Sequence, residues 1–255
     1  MLLCGLDGAH LLPGCTVSES FVTSFGRYSK RMCGRFTLRN LQGRKLDWIL
    51  TRAGWIPRYN IAPTQDILVI LPGGEQRELA SLRWGLIPWW SQEPKGFINA
   101  RVETIDQKRS FKDSFERRRC LILADGFYEW ERMGKISQPY YFQMKDQGAF
   151  TFAGIWDRWQ QDGRTITSCA IITTVANELL AKIHTRMPVI LESELHDLWL
   201  DENTRAPDLK ELLVPFPADH MMSHAVTYDV NNVRIDEERL VQPVEPNIGV
   251  TLPLF

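Results

Sequence analysis

The stretch Leu121-Ile122-Leu123-Ala124-Asp125-Gly126-Phe127-Tyr128-Glu129-Trp130-Glu131-Arg132 decides how the fold is read. Residues 121–124 and 128–132 are β-prone runs standing on either side of Asp125-Gly126, a pair that punctuates strands. Working outward, residues 140–144, 150–159 and 166–174 read as further strands downstream. Residues 34–38, 66–71 and 79–85 do so upstream, the middle one closed by Pro72-Gly73-Gly74, and 225–230 reads as a late strand. Helical patterns are few. Residues 43–52 place Leu46, Ile49 and Leu50 on one face, and Ser110 stands as a cap before 111–118. Asn177 opens 177–183 with Pro188 as terminator, Ser193 caps 194–200, and 204–213 is a last short helix. A long irregular stretch carries Trp89, Trp90 and Pro94. Many short strands with few helices imply an α+β fold: a mixed, mainly antiparallel sheet, barrel-like or half-closed, in a single domain without a regular βαβ repeat.

Composition bounds what such a domain can do. Of 255 residues, 44% are hydrophobic, ample for a core, and nine tryptophans with twelve phenylalanines favour aromatic anchors or a stacking surface. A net charge of −1 means that a polyanion would have to be held by a local basic groove. Lys108-Arg109, Lys112 and the run 117–119 are basic but read first as a solvated face. The five cysteines show no CxxC spacing, which argues against a disulfide framework and a zinc knuckle. His220 and His224 have metal spacing only on a helix, and neither metal nor cofactor is expected. Cys120 and Cys169 lie in apolar runs and read as core thiols. No apolar run approaches the length of a membrane span. A reducing cytoplasm fits best.

Cys33, directly behind the internal Met32, carries the chemistry. If translation starts at Met32 and the methionine is removed, Cys33 presents a free α-amine and a thiol on one residue. The amine, with a pKa near 8, is partly a neutral nucleophile at physiological pH, and the thiol can close a ring on the imine that the amine forms. An aldehyde is the natural target. Residues 1–31 lack a basic segment and interrupt their apolar run with Asp7 and His10, so they do not read as a signal peptide. They are expected to be an upstream mis-start or a removable, disordered leader, with 32–255 as the working domain.

Six fragments in order specify a family. They are Met-Cys-Gly-Arg-Phe at 32–36, Arg-Tyr-Asn-Ile-Ala-Pro-Thr at 58–64, Arg-Trp-Gly-Leu-Ile-Pro-Trp-Trp at 83–90, Asn-Ala-Arg-Val-Glu-Thr at 99–104, Ala-Asp-Gly-Phe-Tyr-Glu-Trp at 124–130 and Ile-His-Thr-Arg-Met-Pro at 183–188. Together they resemble the SOS-response-associated peptidase (SRAP) family from residue 32 to about 243. The resemblance implies a protein that crosslinks its N-terminal cysteine to abasic sites in single-stranded DNA. It also implies a mature chain that begins at that cysteine.

Residue chemistry fits this. An abasic deoxyribose is mostly a cyclic hemiacetal, so a proton must move before its C1′ aldehyde is exposed. Glu129, between Tyr128 and Trp130, sits in apolar surroundings expected to raise its pKa, which suits a general acid/base. Position alone would make it an exposed strand glutamate, and the resemblance places it in the site. The Cys33 amine then adds to C1′, water leaves, and the thiol closes a thiazolidine; strand cleavage by β-elimination from the imine is the expected side activity. His184, read at a helix end where the dipole favours imidazolium, is placed in the site by resemblance as a proton donor. Asn99, also placed there, suits holding the amine or a sugar hydroxyl. Arg35, Arg101 and Arg186 each fall within two residues of a catalytic candidate and are the best phosphate contacts. By analogy with the family, Pro63, Trp89 and Trp90 form an apolar wedge that stacks on bases. The protein is expected to be a monomer.

Two other classes remain open on sequence. One is a cysteine peptidase or autoproteolytic amidohydrolase, with Cys33 as thiolate, His184 as base and Asn99 or Glu129 in support. The other is a noncatalytic single-stranded-DNA or protein-binding module in which Cys33 is incidental. The turn-like segment 229–234 is expected to close the domain.

Overall fold

Strand-forming runs of the chain pair into two sheets that share one core. The computed structural model describes residues 34–41, 46, 55–73, 77–134 and 136–246. Its strands are β1 (Phe36–Leu38), β2 (Arg58–Ile61), β3 (Asp66–Leu71), β4 (Glu78–Trp84), β5 (Asn99–Arg101), β6 (Arg119–Ala124) and β7 (Gly126–Met133). They continue as β8 (Ile136–Met144), β9 (Phe150–Gln161), β10 (Arg164–Val175), β11 (Arg186–Pro188), β12 (Ile190–Leu191) and β13 (Met221–Ala225). Helices α1 (Lys112–Arg117), α2 (His196–Leu200) and α3 (Ala206–Glu211) are short.

The first sheet runs β13-β8-β7-β1-β2 and the second β11-β10-β4-β3-β6-β9-β12. Within the second, β9 also pairs with β10, so the pairings β10-β4-β3-β6-β9 return to their start and that part is ring-like. Among the described residues only β10 with β4 and with β5 are parallel pairs. The mixed, mainly antiparallel, single-domain architecture expected from the sequence is what forms. Strand β6 is buried at every position, Arg119 included, as the apolar run from Cys120 to Ala124 requires, because it also packs against α2, whose Trp199 indole donates to the Cys120 carbonyl. The sheets meet through aromatic rings: Phe36 of β1 lies edge-on to Trp84 at 5.1 Å and to Phe152 at 5.9 Å, and Phe127 approaches Phe152 at 6.0 Å.

Asp125-Gly126 does more than divide two strands: β6 belongs to one sheet and β7 to the other, and this pair carries the chain across. Asp125 is buried and accepts bonds from Thr37 Oγ1 (2.6 Å), Arg39 Nε (2.9 Å) and Asn40 Nδ2 (3.1 Å). Burial nevertheless holds its carboxyl above the usual range. Gly126 faces the Tyr141 ring so closely that a Cβ there would stand 2.0 Å from the hydroxyl oxygen, which leaves room for glycine alone.

Several local expectations differ from the structure. Residues 225–230 are no strand: β13 ends at Ala225 and a 3-10 turn covers Tyr228–Asn231. The cause is Asn60, whose buried amide donates to the carbonyls of Val230 (3.3 Å), Asn232 (3.1 Å) and Ile235 (2.8 Å) and gathers the segment into a turn. Asp236 seals it by accepting from Arg58 and from the backbone of Tyr59 and Asn60, so the stretch 229–234 does close the domain. The helix expected over 177–183 shrinks to a 3-10 turn, Leu180–Lys182. Asn177 Oδ1 does cap the Leu180 amide at 3.0 Å, but Ala176 N–H then bonds to Thr185 O and the chain joins β10 as β11, which contains Pro188. Ser110 precedes Phe111, the residue at the cap of α1, and Ser193 is itself the first residue of the 3-10 turn Ser193–Leu195; neither side chain caps a helix. The helix expected over 43–52 falls outside the described residues, Leu46 excepted.

Candidate functional site

Strand β7 presents Glu129 to the start of β1. Phe36 and Phe127 are register partners, and the Tyr128 amide donates to Arg35 O at 3.0 Å, one step nearer the beginning of the domain. Glu129 follows Tyr128 on β7, as Gly34 precedes Arg35 in the chain. Because alternate strand residues face opposite ways, Glu129 shares a face with the core residue Phe127, and it is only 2% exposed. Glu129 is therefore not the exposed strand glutamate that its position alone suggests, and the apolar surroundings expected for it are present. Gly34 is the described residue next to Cys33, which itself lies outside the described residues. Arg35 is half-buried, with Nη1 donating to the Gly34 carbonyl at 2.8 Å.

A second group gathers on the C-terminal half of β10. Asn99 and Arg101 come from β5, paired in parallel with Ile171 and Thr173. Arg186 comes from β11, paired with Val175, and its Nη2 donates to Thr173 O at 2.6 Å. Thr173 Oγ1 in turn bonds to Ala100 O at 3.3 Å. Thus Asn99, Arg101 and Arg186 are brought to one place by a single strand. His184, two residues before Arg186, accepts the Arg186 amide proton at Nδ1 (3.1 Å), which leaves Nε2 to carry the hydrogen of the neutral ring.

The charge expected on His184 is corrected. Burial lowers its pKa, and the cations Arg132 and Arg186 push the same way. With only a three-residue 3-10 turn ahead of it, little helix dipole exists to oppose them. The neutral imidazole can donate from Nε2 without being an imidazolium.

The aromatic candidates occupy an excursion between β4 and β5, two strands that both pair with β10. Its neck is a two-residue bridge, with Leu86 and Phe97 exchanging amide bonds of 2.9 Å. There Gly85 has φ +128°, and a Cβ on Gly96 would fall 2.1 Å from Gly85 O. Trp89 is 55% exposed at the tip, while its amide donates to Oδ2 of the buried Asp157 at 3.0 Å and the Trp159 indole donates to Ser91 O at 2.7 Å. Trp90 is more sheltered, with the Arg109 guanidinium 4.5 Å from its ring. Pro63 lies in the β2–β3 turn, next to Thr64, whose amide bonds to Trp84 O at the base of the excursion. The two loops therefore meet at Trp84.

The remaining basic residues and cysteines have plain structural places. Arg119 is buried and caps carbonyls of Trp199, Phe115, Glu116 and Asp201. Cys120 and Cys169 are buried, and burial pushes both thiols far up. His220 ends a 3-10 turn and His224 lies in β13, so they are not on one helix; among the described residues no three His, Cys, Asp or Glu side chains gather as metal ligands. Among the described residues no helix is long and apolar enough to cross a membrane. Sequence reasoning missed Glu103, whose carboxylate grips Arg186, and Asp157, which anchors Trp89. Glu103 stands inside the quoted fragment 99–104 as an acid two residues from an arginine, a signal that was present; Asp157 had none.

Comparison with known proteins converges on one grouping. The family model "SOS response associated peptidase (SRAP)" matches residues 32–233. The "Abasic site processing protein YoqW" of Bacillus subtilis (strain 168) is 40% identical over 222 residues, which is 83% of this chain and 99% of that protein. The "Abasic site processing protein HMCES" of Xenopus tropicalis is 34% identical over 237 residues, covering 78% of this chain and 70% of its own. A crystal structure of a protein from Bacteroides thetaiotaomicron superposes with a TM-score of 0.71 at 26% identity, over 84% of this chain and all of that one.

Proposed function

Since the chain belongs to the SOS response associated peptidase (SRAP) family, we propose that it processes abasic sites in DNA by capturing them covalently on Cys33 as the first residue of the mature chain. The observation that carries the reading is Glu129: a carboxyl 2% exposed, next on β7 to Tyr128, whose amide bonds to the carbonyl of Arg35, two residues after Cys33 in sequence.

Glu129 moves the proton that opens the hemiacetal, taking it from the C1′ hydroxyl as the ring oxygen is protonated and the C1′ aldehyde forms. Glu129 then delivers that proton to the departing sugar oxygen, to which the neutral His184 donates a hydrogen bond from Nε2. The Cys33 amine adds to C1′, the carbinolamine loses water to an imine, and the thiol adds across the C=N bond, its proton passing to nitrogen, to give a thiazolidine. From the imine, loss of a C2′ proton and of the 3′ phosphate breaks the strand, a lyase side reaction. Arg35, Arg101 and Arg186 contact phosphates of a single strand, and Pro63, Trp89 and Trp90 stack on its bases, each base contributing about 1–3 kcal/mol. The exposure of Trp89 on an excursion pinned at its neck supports that role. A chain that starts at Met32 and then loses that methionine by hydrolysis of the Met32–Cys33 bond supplies the free amine, and the matched region beginning at residue 32 supports such a start.

Intact mass before and after incubation with a single-stranded oligonucleotide bearing one abasic site tests the reading. The expected result is a stable adduct of protein plus oligonucleotide less one water. Cys33→Ser leaves a borohydride-reducible imine and no stable adduct, and one extra residue ahead of Cys33 abolishes both. Equal adduct from the blocked chain sinks the proposal, and cleavage of an external peptide by that blocked chain would favour a peptidase instead.

A further inference from the structure

Arg186 and Glu103 meet as two planar forks. Nη1 lies 2.6 Å from Oε1 and Nη2 3.0 Å from Oε2. Two parallel N–H···O bonds of this kind are how a guanidinium holds a carboxylate, and equally how it holds two oxygens of a phosphate. The arginine is the fixed member of the pair: its side chain is 14% exposed, and Nη2 is tied from behind to Thr173 O. Glu103 is the outer member, 47% exposed, on the 3-10 turn Val102–Thr104 that follows β5. Its carboxyl is held below the usual range, first by the bond to Arg186 and further by the charges of Arg186 and Arg101. At neutral pH an anion therefore sits on the same fork that the proposed function assigns to DNA.

We infer that Glu103 occupies, in the DNA-free protein, the seat of a nucleic-acid phosphate on Arg186, and is a specificity-determining competitor that a strand has to displace. The inference rests on the reading above in one respect, the assignment of Arg186 to phosphate. An undamaged strand must break one two-point charged contact to make another, so Arg186 adds little to its net binding. A strand carrying an abasic site faces the same exchange but is then retained by the covalent bond. Glu103 thus suppresses occupancy by intact single strands and leaves capture of damaged ones to chemistry.

Fluorescence anisotropy with a labelled, undamaged single-stranded oligonucleotide across a salt series tests this, using the parent, Glu103→Gln, Arg186→Gln and the double variant. Glu103→Gln is expected to tighten binding about two- to fivefold, the range spanned by a solvent-accessible ion pair. The plot of log affinity against log salt should steepen by about 0.7, one phosphate contact on a single strand. In the Arg186→Gln background the substitution should change neither quantity. Weaker binding by Glu103→Gln would make Glu103 a positioning residue for Arg186, an equal increase in both backgrounds would reduce it to a long-range charge, and no change would remove it altogether; each overturns the inference. Glu103→Asp, which keeps the charge but falls short of the fork, covers the case in which Gln perturbs folding: tightening supports competition, and unchanged or weaker binding overturns it. If the parent forms no adduct with an abasic oligonucleotide, the proposed function fails while these binding results still decide the inference.

Discussion

Gly126 shows how one residue can serve the fold and the site together. Its missing side chain lets the Tyr141 hydroxyl reach Thr37 Oγ1 at 2.8 Å, and Thr37 in turn donates to the buried Asp125. This knot ends three residues before Glu129, so it sets where β7 begins and at which register Glu129 meets β1. Placing a methyl group 2.0 Å from an oxygen forces Tyr141 or the backbone to move, an overpacking that costs about 1–3 kcal/mol. We expect Gly126→Ala to lower the melting temperature by several degrees and to slow adduct formation at saturating DNA, measured by thermal denaturation and single-turnover crosslinking. A variant as stable and as fast as the parent would dissociate the knot from the site.

At the scale of elements, the β4–β5 excursion is defined by its neck. Gly85 and Gly96 pass so closely that the bridge Leu86–Phe97 forms above them, and Asp157 then receives the Trp89 amide. Gly96→Ala would push against Gly85 O, a backbone atom that cannot swing aside, and so spread the neck. The expected consequence is specific to binding: the DNA concentration for half-maximal crosslinking should rise several-fold, as it would when part of one base-stacking contribution of about 1–3 kcal/mol is lost, while the maximal rate stays near that of the parent. A fall in maximal rate without a change in half-saturation would show that the excursion acts on chemistry instead. The Asn60 clamp is the counterpart at the other end of the chain, converting an apolar segment that reads as a strand into a turn by drawing three carbonyls onto one amide.

Over the whole molecule, a buried histidine links stability to pH. His196 is 1% exposed, with Nε2 2.9 Å from Thr151 Oγ1, and burial together with the Arg77 charge lowers its pKa from 6.5 to about 4. The unfolded chain takes up this proton at about pH 6.5 and the folded one only near 4, so the contribution is complete above the higher value and is lost as pH falls through the window. The melting temperature of the parent should decline across that window more steeply than that of His196→Gln, and parallel curves would exclude His196 as the cause. The sheets, the mainly antiparallel pairing and most strand positions were legible in the sequence because period-two burial and turn residues are local signals. So were the candidates Glu129, Asn99, Arg101, Arg186, Pro63, Trp89 and Trp90, through motifs of fixed order.

What the sequence by itself determined was class: a family, through six motifs in fixed order, a carboxyl on a strand, and a sheet-rich domain, with Cys33 behind Met32 as the proposed reactive residue. Tertiary structure alone decided that β6 and β7 part into different sheets, since an Asp-Gly pair looks the same whether it folds a hairpin or crosses between layers. It alone decided that His184 is held neutral, that Glu103 sits on the Arg186 fork, and that Asp157 anchors Trp89. The physical reason is common to all of these: burial and charge depend on partners tens of residues away in the chain, and sequence spacing carries no measure of that distance.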